Sequence, residues 1–177
     1  MKKFLAIAAF ALMMIPALAQ NHTGYTLPDE PKRAKYIDFP SQDKGLWFAA
    51  QLTPALFLGR EGFNIQADLI AGYRFGEFFK VGAGISPGIL AGRFKLPVYL
   101  DLRGNIISQE SRMAVPYWSL DAGYTISSYC PGVYVSPTVG VRVGMPRNDF
   151  IAGLTYILQG VPGTALHGVG LRLGFEF

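Results

Sequence analysis

One cysteine, two histidines and a thin supply of charge set the first limits on this 177-residue chain. Cys130 alone can make no internal disulfide and no cysteine-based metal cluster. Charged residues are 16% of the sequence, against about 25% in an average soluble domain. After the N-terminal segment, no uninterrupted apolar run reaches the roughly 18 residues that a membrane-crossing helix needs. The net charge of +4 is modest and dispersed, so no clustered basic surface exists for nucleic acid. Apolar side chains, by contrast, are abundant: half of the residues are hydrophobic and 14% are aromatic. High apolarity without a membrane helix leaves strands. The 21 glycines and 12 prolines, spread along the chain, agree with short strands joined by tight turns.

The N-terminus carries Lys2 and Lys3, an apolar run over 4–16, and the small residues Ala17-Leu18-Ala19. This pattern predicts a secretory signal peptide over 1–19, outside the fold. No cysteine follows the cleavage point, which argues against a lipid anchor. Residues 20–44 are polar, lack a period and include Pro31 and Pro40; they read as a periplasmic tail, either a solvated linker or a short plug. Cys130 reads as a buried small side chain near a loop.

From 45 to 177 the chain divides into about eight alternating segments, the number found in the smallest membrane barrels. They run over 46–58, 63–75, 79–90, 94–103, 114–126, 133–144, 150–158 and 166–177, separated by turn signals such as Pro131-Gly132 and Pro162-Gly163. In the second segment Phe63, Ile65, Ala67, Leu69, Ala71, Tyr73 and Phe75 oppose Asn64, Gln66, Asp68, Gly72 and Arg74. In the last, Val169, Leu171, Leu173, Phe175 and Phe177 oppose Gly168, Gly170, Arg172, Gly174 and Glu176. A soluble lipocalin-type barrel would turn the apolar set inward and clothe the other in water. Glycine argues against that arrangement: a solvated face would carry Lys and Glu, whereas glycine suits a narrow lumen. Phe, Tyr and Trp near the strand ends fit an aromatic girdle. About ten residues at 3.3 Å each, tilted by about 40°, also span roughly 25 Å, the height of a membrane barrel's apolar band. The expected fold is an all-β, eight-stranded, antiparallel up-and-down transmembrane β-barrel, with both ends on one side.

Asp68, Arg74, Asp101, Arg103, Asp121, Arg142, Arg172 and Glu176 all fall on lumen-facing positions, four acidic and four basic. Unpaired charge in so narrow a bore is costly, so these groups should pair or meet water. A paired plug that closes the bore and an ion-conducting path are the two readings. The plug is favoured, because an eight-stranded barrel has room for little beyond its own side chains.

The exported strand-rich chain, the charged lumen and the terminal Phe resemble the small OmpA/OmpX-type barrels within the porin-like outer-membrane β-barrel family. The resemblance covers 45–177. It implies the Gram-negative outer membrane and its lipid as surroundings, a monomer, and a last strand whose Leu173, Phe175 and Phe177 form the signal read by the barrel-assembly machinery. It is poor guidance to activity. One departure weakens adhesive or receptor roles: the longest connection, 104–113, falls on the periplasmic side, and the outer loops are short. A third reading, a lipid A-modifying enzyme at the rim, would use His167 with Ser127 or Ser128. No motif spacing supports it, so no catalytic residue, metal or cofactor is assigned. Pro54, Pro87, Pro97, Pro116 and Pro137 lie inside expected strands; they read as bulges or strand ends near the rims, or more sharply as a lateral opening.

Overall fold

The computed structural model describes residues 44–58, 62–109, 112–145 and 148–177. The signal peptide at 1–19 and all of the polar tail except Lys44 lie outside the described residues. The strands are β1 (Gly45–Phe57), β2 (Gly62–Arg74), β3 (Lys80–Ile85), β4 (Gly88–Leu90), β5 (Arg93–Asn105), β6 (Ala114–Ile126), β7 (Gly132–Met145), β8 (Asn148–Val161) and β9 (Thr164–Glu176). β3 and β4 are two halves of one staff of the wall, so nine strands make eight staves. Every stave pairs antiparallel with its sequence neighbours, and β1 pairs with both β2 and β9. The sheet therefore closes on itself and leaves no edge strand exposed.

Period-two alternation decides what faces each way. Leu46, Val139 and Leu171 on the outside are 74%, 61% and 50% exposed, whereas Asp101, Asp121 and Arg172 inside are 0% exposed. The wall is oily outside and polar inside. An apolar surface running around the whole circumference far exceeds the patches that soluble monomers expose, and its natural solvent is hydrocarbon. Near the end where β1 begins and β9 finishes, hereafter the terminal mouth, aromatic pairs collect. Tyr73 and Phe75 lie 5.0 Å apart between ring centroids, and Phe150 and Phe175 lie 5.4 Å apart. These rings form part of the expected girdle. The chain ends in register there: Phe48 N–H donates to Phe177 O at 2.8 Å, and Phe177 N–H donates to Phe48 O at 2.9 Å.

The prolines differ from expectation in an instructive way. Only Pro87 sits in a strand break, at Ser86–Pro87 between β3 and β4, where one continuous strand was expected over 79–90. The other four lie inside continuous strands. Pro54 stays paired with Ile65 of β2, while the β1–β9 register lapses between Leu52↔Leu173 and Ala55↔Gly170. Pro137 stays paired with Leu120 of β6, while the β7–β8 register lapses between Val135↔Leu158 and Thr138↔Thr155. Pro97 pairs with Thr125 of β6 and accepts from Ser86 N–H at 2.9 Å on its other flank. Successive residues of a strand direct their N–H groups to alternate neighbours, so a missing donor weakens one seam and spares the other.

Gly84 is needed for shape. A Cβ at Gly84 of β3 would lie 2.7 Å from the Tyr99 ring, which lies over this strand to reach Asp68 of β2. Gly84→Ala should overpack this point and lower stability by about 1–3 kcal/mol, read as a lower urea midpoint of the refolded barrel. An unchanged midpoint would show that the ring is free to move aside.

Candidate functional site

The lumen is the candidate site, and its residues are placed by parity alone. Once the apolar side chains of each strand face outward, the alternate positions have nowhere to go but inward. All eight charged residues expected in the lumen are buried there. Three more join them: Lys80 of β3, Lys95 of β5 and Asp149 of β8, each 0% exposed. The charge balance expected from the first eight therefore changes. Arg74, Lys80, Lys95, Arg103, Arg142 and Arg172 are six cations; Asp68, Asp101, Asp121, Asp149 and Glu176 are five carboxylates, leaving one excess positive charge among the described residues.

Toward the terminal mouth the charges converge on Glu176. Its Oε1 accepts from Arg74 at 3.0 Å and from Lys80 Nζ; its Oε2 accepts from Arg142 at 2.9 Å and from Arg103 at 3.4 Å. The four cations come from β2, β3, β5 and β7, so one carboxylate on the closing strand ties it across the bore to four others. Arg103 also makes a two-point bond to Asp101 of its own strand, at 2.7 and 2.6 Å, and its guanidinium stacks 4.6 Å from the Trp47 ring centroid. Arg142 lies 3.7 Å from Asp149.

At mid-height Arg172 donates to Asp121 at 2.6 Å and to Ser136 at 3.1 Å. Asp68 departs from the expected ion pairing. Three neutral donors hold its carboxylate: Thr53 at 2.6 Å, Tyr99 at 3.2 Å and Gln66 at 3.3 Å. Farther from the terminal mouth, Gln66 donates to the Tyr134 hydroxyl at 2.9 Å, and Thr125 donates to Gln159 at 2.6 Å.

Both mouths carry inward-folded connections. At the terminal mouth, Gln109 of the connection 106–113 is buried; its side-chain amide donates to Asp149 at 2.8 Å and to Gly144 O at 3.2 Å. Its backbone N–H donates to Glu77 at 2.8 Å, which fixes the connection against the turn after β2. At the opposite mouth, the connection after β6 turns Cys130 inward, where it is buried as expected and its carbonyl accepts from Gln159 at 3.1 Å. Sequence periodicity could have found Lys80, Lys95 and Asp149, which share the parity of their strands' other lumen residues. It carries no signal for Gln109, whose burial depends on contacts between separate turns.

The nucleophile and base of the rim-enzyme reading are not brought together. Ser127 donates to Phe94 O at 3.0 Å and accepts from the N–H groups of Tyr129 and Cys130, so its hydroxyl serves the loop. His167 pairs through Nδ1 with the Tyr156 hydroxyl on the outer face. β7 and β8 stand between β6, which ends just before Ser127, and β9, which carries His167.

By sequence, no family model matches the chain and no curated protein does either. By structure it is similar to Neisserial surface protein A, at 16% identity and a TM-score of 0.55 over 74% of this chain and 95% of that one. It is similar as well to the N-terminal β-barrel domain of Pseudomonas aeruginosa OprF, at 14% identity and a TM-score of 0.51, covering 76% and 99% of the two chains. The outer membrane protein OprG from the same organism is similar at 12% identity and a TM-score of 0.51, covering 76% and 97%. At these identities the likeness concerns architecture alone. Closed eight-staved wall, oily exterior and charged interior together give this chain the fold of the small outer-membrane β-barrels.

Proposed function

We propose that the protein is a monomeric component of the cell outer membrane with a structural, envelope role, and that paired charges keep its lumen shut. In this reading residues 1–19 direct export, 20–44 remain in the periplasm, and the barrel-assembly machinery recognises the last strand through Leu173, Phe175 and Phe177. The observation that carries the closed lumen is the convergence of Arg74, Lys80, Arg103 and Arg142 on Glu176 across the bore. Gln109 above this cluster adds a second layer. A solute would have to displace bonds between buried ions, and each ion left bare in so narrow a space costs several kcal/mol. The refolded barrel in planar lipid bilayers should therefore give no conductance above background. Discrete, reproducible openings would favour an ion or small-solute channel instead. Replacing His167 with Ala should leave the host's lipid A unchanged by mass spectrometry, and an altered lipid A would favour rim chemistry.

A further inference from the structure

Lys95 stands apart from the other lumen cations. Arg74, Lys80, Arg103 and Arg142 share Glu176, and Arg172 holds Asp121, but the Lys95 ammonium, fully buried, has no hydrogen-bond partner. Two aromatic rings flank it, with Nζ 5.4 Å from the centroid of Phe57 and 5.9 Å from that of Tyr134. These distances lie at the outer limit of a cation–π contact and do not replace a counter-charge. Asp68, the carboxylate without an ion pair, is already held by Thr53, Tyr99 and Gln66 and makes no salt bridge to Lys95. Ser86 faces Pro97 across the seam, two residues from Lys95, and its buried hydroxyl is likewise without a partner. A protein interior seldom leaves a buried ammonium unsatisfied, and it is a donor that suits an anion.

We propose that Lys95 binds a single small monovalent inorganic anion in the half of the lumen remote from the terminal mouth. One such ion gives the Lys95 ammonium the hydrogen-bond acceptor that no side chain supplies. The buried rings of Phe57 and Tyr134 beside the ammonium keep the local dielectric low, which strengthens the attraction.

The test compares thermal unfolding of the full refolded barrel in sodium chloride and in sodium gluconate at equal ionic strength. Chloride should raise the midpoint of the wild type by about 2–4 °C, as a ligand of the folded state alone does, and should leave Lys95→Met without that response. An equal response in both proteins would place the ion elsewhere and overturn the assignment, as would no response in the wild type. If Lys95→Met fails to fold, bromide-soaked crystals of the wild type decide the matter. An anomalous peak within hydrogen-bonding reach of Lys95 Nζ supports the site, and its absence there refutes it.

Discussion

Glu176→Gln should lower the stability of the refolded barrel by about 3–5 kcal/mol, the range for removing one partner from a buried ion network. The carboxylate meets four cations from four strands, at 2.9 to 3.4 Å for the three arginines. A carboxamide keeps the shape but offers one oxygen and turns an N–H donor toward a guanidinium. Asp101 still holds Arg103 through two bonds, whereas Arg74 and Lys80 lose their carboxylate. The measurement is urea unfolding in micelles with the slope checked for constancy. A second substitution separates charge from packing: Lys80→Met added to Glu176→Gln should recover part of the loss, because it removes a buried ammonium that has lost its carboxylate. Strictly additive effects of the two changes would mean that they do not act through a common network.

Leu171→Arg should cost about 2–4 kcal/mol, while Leu46→Arg should cost at most about 1 kcal/mol. Leu171 lies at the centre of β9, faces outward and pairs with Leu154 of β8, itself 60% exposed. Leu46 also faces outward but lies at the first turn of the wall beside the terminal mouth. In hydrocarbon the penalty for a guanidinium depends on depth, since an arginine near the rim extends its head into the interface. A water-facing wall has no depth dependence. Similar costs at both positions in lipid vesicles would contradict the placement of the apolar band.

Strand positions were legible in the sequence because one simple force sets them. Where both faces speak clearly, as in β6, the expected 114–126 coincides with the strand Ala114–Ile126. In β2 the expected 63–75 is displaced by one residue. The break at Ser86–Pro87 was less legible: alternation continues through it, and the missing proline donor shows only when the seam it weakens is known. Lys80 and Lys95 lie on lumen parity, yet each sits within two residues of a segment end, where a lysine reads as a solvated rim residue. What periodicity cannot supply is partnership. The stagger of the closed wall brings Arg74 within 3.0 Å of Glu176, 102 positions away, and no local pattern encodes that encounter. The same holds for Gln109, which is polar and loop-borne, and whose place shows only once the turn carrying Glu77 is set beside it.

The central claim is a sidedness, with oily side chains on lipid and polar ones sealed within. The most direct measurement is intermolecular NOE spectroscopy of the methyl-labelled barrel in lipid nanodiscs. Cross-peaks to the acyl chains should arise from outward methyls such as those of Val139, Leu154 and Leu171, and none from the inward Ile151 and Ile157. Lipid contacts at Ile151 and Ile157, with none at the other three, would show that the barrel wall faces the opposite way.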